Sequence, residues 1–162
     1  MQRRLVLLGL AASVGACGFA PRREPELLFR SIALSGFKPA SPLAAELRRQ
    51  LARTSVLLEA DANRADLVLE ALRDERQKTA IVSTSAGQVR EWQLRINLDY
   101  LLRTPSGELL LPRTELRMTR EMTYTEGAAL AKEQEEAQQY RSMQSDLVAQ
   151  LMRRLAAVRI PG

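Results

Sequence analysis

The chain has 162 residues, 24 basic and 19 acidic side chains, a formal net charge of +5 and no histidine. That length fits one domain with a proper core. The lack of histidine and the single cysteine exclude Ser-His-Asp and Cys-His catalysis, zinc centres built on those residues and His-ligated haem.

The chain opens with "RRLVLLGLAASVGACGFAP", Arg3 to Pro21. Arg3 and Arg4 supply a positive start, Leu5 to Val14 an apolar run too short to span a bilayer, and Val14-Gly15-Ala16 small residues before the sole cysteine, Cys17. This is the layout of a secretory signal peptide, here residues 1–16. A buried N-terminal helix is disfavoured because the run has no polar face and is followed at once by Gly18, Pro21, Arg22 and Arg23. Small residues leading into a lone cysteine resemble the lipobox of bacterial lipoproteins, in which the cysteine becomes the mature N-terminus and carries lipid. That role explains a thiol with no disulfide partner. Gly18, in place of an aspartate after the cysteine, directs the expectation to the outer membrane. Without residues 1–16 the chain keeps 22 basic and 19 acidic side chains, too slight an excess, with seven aromatics, to argue for nucleic acid.

Residues 17–25 read as the lipidated cysteine and its tether, and residues 26–162 as a single domain. Leu27 to Leu34 predicts a first strand closed by Ser35-Gly36. Ser41 is an N-cap with Pro42 at the first helical position, and Leu43, Leu47 and Leu51 repeat at helical spacing, so residues 42–54 form a short amphipathic helix. Val56 to Leu58 adds at most a brief extended piece, and Asp61 to Asp66 is a polar connection. From Leu67 the period becomes two. A strand beginning Leu67, Leu69, Ala71 turns polar through "RDERQKT" and apolar again at Ala80-Ile81-Val82, before a turn at "STSAG". In the next strand Trp92, Leu94, Ile96, Leu98, Tyr100 and Leu102 alternate with Gln93, Arg95, Asn97, Asp99 and Leu101, which predicts one dry and one wet face in an antiparallel sheet. After "TPSG", Leu116, Met118, Met122 and Tyr124 continue the pattern opposite Arg113, Glu115, Arg117 and Glu121, and Pro112 belongs at an edge or a bulge.

Thr123 with Glu126 reads as a capping box for a last helix. Tyr140, Met143, Leu147, Leu151, Leu155 and Val158 form its apolar stripe, ended by Pro161. The order β-α-β-β-β-α predicts an α+β fold: a two-layer sandwich of a mostly antiparallel four-stranded sheet with two helices packed on one face.

The stretch "ALAKEQEEAQQYRSMQSDLVAQLMRRL", Ala129 to Leu155, resembles the C-terminal helix of the LPS-assembly lipoprotein LptE family. The lipobox cysteine followed by Gly18-Phe19, the element order, and the strand "REWQLRINLDYLL" after a Gly-Gln turn agree with it. The resemblance covers essentially the whole mature chain. It implies a non-enzymatic plug and assembly partner for the large outer-membrane β-barrel LptD, taking part in lipopolysaccharide (LPS) insertion, without cofactor. It also implies that Lys132, the lysine of the Ala-Leu-Ala-Lys run, meets LPS phosphates near a helix N-terminus. The alternative for Lys132 is an ordinary pair with Glu136 one turn on. "STSAG" lacks a basic residue where family members can carry one, leaving Arg90 or Lys78 as substitutes. Arg113, Arg117 and Arg120 form either a basic strip toward LPS or a solvated face broken by Glu115 and Glu121.

Two other functions stay open to the sequence. A periplasmic lipid- or solute-binding auxiliary lipoprotein of an exporter requires an apolar cavity between sheet and helices. A carboxylate-dependent envelope hydrolase requires two acids on one concave wall.

Overall fold

The computed structural model describes residues 27–160; the leader, Cys17 and the tether to residue 25 lie outside the described residues. Strands β1 (Ser31–Ser35), β2 (Leu57–Glu59), β3 (Leu67–Ser83), β4 (Val89–Arg103) and β5 (Leu109–Thr123) form one sheet, with helices α1 (Pro42–Leu51) and α2 (Ala129–Ala156). The strand order is β2-β1-β3-β4-β5. β1 runs parallel to β2 and β3, whereas β3, β4 and β5 are antiparallel neighbours. The α+β sandwich is as expected, but the sheet has five strands rather than four. The brief extended piece after α1 is a true edge strand, attached to the start of β1 by the Leu57 N–H donating to the Arg30 carbonyl at 2.8 Å. β1 itself starts at Ser31, not Leu27, because Phe29 is spent on the core.

Local chemistry accounts for most element ends. The Ser41 hydroxyl accepts from the Ala44 N–H at 3.0 Å with Pro42 behind it, so α1 starts where the sequence says. It stops at Leu51, three residues short of the expected end, where the Thr54 N–H and hydroxyl both turn back to the Leu51 carbonyl. The two hairpin turns share one design. The hydroxyls of Thr84 and Thr104 each accept from the N–H four residues on, at 3.1 Å. The expected Thr123–Glu126 capping box does not form. Thr123 is the last residue of β5, Glu126 begins a single 3-10 turn, and α2 starts at Ala129 without a side-chain cap.

The core lies between the sheet and the helices. Leu94, Ile96, Leu98, Tyr100 and Leu102 of β4 meet Leu43, Leu47 and Leu51 of α1 and Tyr140, Met143, Leu147, Leu151 and Leu155 of α2. Each such fully buried aliphatic side chain contributes roughly 1.5–3 kcal/mol. A bulge at Leu72, between the Ala71–Tyr100 and Arg73–Asp99 pairs, then flips the parity of β3. Beyond it Asp74, Arg76 and Lys78, paired with Leu98, Ile96 and Leu94, face the helical side. This is why "RDERQKT" is polar: the apolar core ends there, and the long hairpin continues past it toward the first half of α2. A second register shift lies between the Tyr100–Thr114 and Leu102–Leu111 pairs, at Pro112 in the edge strand β5.

The opposite sheet face has no layer over most of its area, yet two of its side chains are not wet. Asn97 and Asp99 are buried, contrary to the simple alternation. They sit on the central strand of the antiparallel part of the sheet, under long arginines from both neighbours.

Candidate functional site

Two regions bear on function: the far end of the β3–β4 hairpin with the start of α2, and the uncovered sheet face. At the hairpin end the strands bring Lys78 and Trp92 to one face, one register step past the Lys78–Leu94 pair. The Lys78 ammonium lies 4.6 Å from the centre of the Trp92 ring and 2.5 Å from the Glu136 carboxylate. Tyr124 meets Trp92 edge-on, with ring centres 6.4 Å apart, and its N–H closes onto the Arg90 carbonyl at 2.7 Å. Lys132 donates to the Glu135 carboxylate at 2.8 Å and to the Thr123 hydroxyl at 3.3 Å, tying the start of α2 to the end of β5. The expected partner of Lys132, Glu136, is taken by Lys78 instead. Arg90 is exposed and forms no ion pair among the described residues. A cleft of about 350 Å³ between these elements is lined by Lys78, Gly87, Val89, Trp92, Tyr124, Glu126 and Glu133, among others.

All three cations singled out from the sequence therefore gather at one end of the molecule, but in different states. Lys78 and Lys132 are paired with carboxylates, and Arg90 is free. Exposed ion pairs of this kind are worth about 0–1 kcal/mol, so an anionic ligand can displace the carboxylates at small cost. The aromatic pair Trp92–Tyr124 was missed. Its sequence signal was the one tryptophan, placed two residues after Arg90; the Glu91–Thr123 register that brings Tyr124 alongside is not readable from either strand alone.

Next to this end, α2 is clamped to the hairpin by polar contacts. The Tyr140 hydroxyl donates to the Gln77 carbonyl at 2.8 Å, and the Arg76 guanidinium lies 5.0 Å from the Tyr140 ring centre. A cleft of about 400 Å³ here is lined by Arg76, Glu133, Glu136, Tyr140, Arg141 and Gln144, with Ala137. It is polar, and the layer below is filled by fully buried side chains. That is not the apolar cavity a lipid carrier needs. Among the described residues no three His, Cys, Asp or Glu side chains gather to hold a metal ion.

The uncovered sheet face is a grid of guanidinium, carboxylate and amide groups. Arg73 bridges Asp99 at 3.1 Å and Glu115 at 3.2 Å; Arg113 reaches the other Asp99 oxygen; Arg117 bridges Glu115 and, at 3.1 Å, the Asn97 carbonyl. The hydrogen bond from Arg113, with the charge of Arg73, holds the Asp99 carboxyl below its usual range against the opposing effect of burial. The basic strip weighed from the sequence is thus divided. Arg113 and Arg117 belong to this grid, but Arg120 pairs with Leu94 on the other face and binds Gln139 and Asp146 of α2.

A protein-family model described as LptE, lipopolysaccharide-assembly, matches residues 29–155. The LPS-assembly lipoprotein LptE of Pectobacterium atrosepticum is 29% identical over 98% of this chain and 88% of its own length. Among solved structures, lipoprotein B from Nitrosomonas europaea superposes with a TM-score of 0.73 at 24% identity, covering 85% of this chain and 89% of that one. A minor lipoprotein from Acinetobacter baumannii superposes with a TM-score of 0.66 at 20% identity, over 84% of this chain and 100% of that one. Those two likenesses are of fold.

Proposed function

The chain belongs to the LptE family of LPS-assembly lipoproteins, and from that premise we propose that it is the plug and assembly partner of an LptD-type β-barrel in the outer membrane. It is anchored there by lipid on Cys17 and takes part in LPS insertion. The observation that carries this reading is the uncovered sheet face. A barrel lumen is polar, and a plug inside it needs a rigid surface rich in donors and acceptors rather than an apolar one. The Arg73–Asp99–Arg113–Glu115–Arg117 grid offers both, prearranged on three strands.

LPS contact belongs to the opposite requirement, a place where charge is loosely held. The hairpin end supplies it: Arg90 is free, Lys78 and Lys132 exchange carboxylate for phosphate, and Trp92 and Tyr124 flank them. In this reading the protein catalyses nothing and holds no cofactor.

The test is affinity purification of the tagged protein from detergent-extracted outer membranes, with mass spectrometry of what accompanies it. A stoichiometric large β-barrel supports the plug. Recovery alone, or with an inner-membrane transporter, overturns it in favour of an exporter auxiliary. Triple neutralisation of Lys78, Arg90 and Lys132 to glutamine, with the barrel still bound, reduces LPS retained on the complex at least tenfold if the hairpin end is the contact; unchanged LPS removes those residues from the site.

A further inference from the structure

The end of the sheet opposite the hairpin carries a second surface. One register row runs across it: Leu57 beside Ser31, then the start of β3, then Arg103 beside Leu109. At the usual strand spacing this row is about 19 Å wide. Four of the eight exposed large apolar side chains lie at this end, and two bracket the row: Leu57 is 65% exposed and Leu109 54% exposed, with Leu28 and Leu58 beside Leu57. Leucines left open to water at both corners of one sheet end are not explained by the fold, since the core is complete without them.

The same end is basic on its helical side. Arg30, Arg53 and Arg159 are exposed and form no ion pair among the described residues. Arginines in the last turn of a helix answer the helix dipole, but these three lie outside the bounds of α1 and α2, so that explanation does not reach them. Of the nearby acids, Asp66 is engaged by the backbone N–H groups of Arg30 and Ser31 at 2.9 and 3.1 Å, and Glu70 by Arg103 at 3.0 Å. Glu59 and Glu108 are left against the free arginines. The chain enters the fold at this end too: Leu27 is ten positions after Cys17, and Arg22 and Arg23 lie between them.

We infer that this end is a membrane-docking surface, which seats the domain on a bilayer leaflet bearing anionic phospholipid headgroups. Leu28, Leu57 and Leu109 enter the headgroup region while Arg30, Arg53 and Arg159 meet phosphates, the combination that holds interfacial segments on anionic lipid. The row of leucines and arginines does not depend on Cys17 being acylated or on a barrel partner; the short tether adds only proximity. The surface also sets direction, since docking it leaves the hairpin end pointing away from that leaflet.

The experiment is vesicle flotation of the mature chain, residues 17–162, with Cys17→Ser so that no acyl chain contributes. Vesicles of phosphatidylcholine alone are compared with vesicles containing phosphatidylglycerol, in low and in high salt. The chain is expected to float with the anionic vesicles only and to be released by salt. Arg30→Gln with Arg53→Gln weakens that binding about thirty-fold, whereas Arg90→Gln at the far end leaves it unchanged. Leu57→Ser with Leu109→Ser lowers it at equal charge, and an unchanged thermal midpoint certifies that each exposed variant is folded. Binding that ignores lipid charge, or that falls equally with Arg90→Gln, overturns the inference. So does a double arginine variant that floats normally but no longer co-purifies with a barrel, which assigns the surface to a protein partner. Loss of barrel co-purification in the parent chain bears on the plug reading alone.

Discussion

Replacing Asp99 by asparagine tests the grid directly, because shape is kept and only charge is lost. The Asp99 side chain is 4% exposed and accepts from Arg73 at 3.1 Å and from Arg113. Hydrogen bonds to charged groups are each worth about 1.5–3 kcal/mol. Two discounts apply. The guanidiniums of Arg73 and Arg113 are 35% and 67% exposed and regain water, and Arg73 keeps Glu115. Asparagine also retains one acceptor oxygen. A loss of about 1.5–2 kcal/mol at neutral pH remains. The sign with pH follows from the carboxyl being held below its usual value of 3.8. A group depressed in the folded state stabilises fully above its unfolded value and loses that contribution as the pH falls through the folded one. The difference between parent and variant is therefore complete at neutral pH and shrinks below 3.8. Denaturant unfolding of the acyl-free chain at neutral pH and at about pH 2.5 measures both ends of that window. A variant within about 0.5 kcal/mol of the parent at neutral pH, or equally destabilised at both, refutes the account of Asp99 as a buried charge held by two arginines.

Three further outcomes are expected. Gly36 has φ +74°, and a Cβ built there stands 2.1 Å from the Ala71 carbonyl oxygen, beside the β3 bulge. Gly36→Ala therefore costs about 3 kcal/mol or more by thermal unfolding, and a loss under about 1 kcal/mol contradicts this packing. Tyr140→Phe removes the hydroxyl that holds Gln77 and costs only about 1 kcal/mol globally. Hydrogen exchange should accelerate in the outer hairpin and in the first half of α2, and equal protection there removes the clamp. Exchanging residues 1–17 for a leader cut without a cysteine should move the protein from the membrane pellet to the periplasmic fraction, provided no barrel holds it; unchanged mass of the parent chain on lipid analysis argues against acylation.

Most of the architecture was legible because burial imposes periodicity. The even-numbered side chains of β4 and the stripe from Tyr140 to Leu155 face one core, as their spacing indicates. Ser41-Pro42 marked the start of α1 because a cap is local chemistry. What escaped was set by neighbours. Asp99 and Asn97 read as wet, and only the register of β3 and β5 reveals the arginines that roof them. The Leu72 bulge reverses which residues of "RDERQKT" face α2, an offset with no local mark in the chain. Thr123 and Glu126 had the spacing of a capping box, but strand pairing with Glu91 claimed Thr123 first. At the hairpin end the three cations were identified singly; that two of them are already held by glutamates depends on how far α2 extends over the sheet.

The position of Trp92 has a practical consequence. It is the chain's one tryptophan, and it stands past the apolar core, under Lys78 and against Tyr124. Indole emission is thus an unlabelled optical reporter of the hairpin end alone, while far-ultraviolet dichroism averages the whole sheet and both helices. In a denaturation series the two signals separate if the outer hairpin opens before the core. In a titration, emission moves for a ligand at that end and stays silent for one bound at the other.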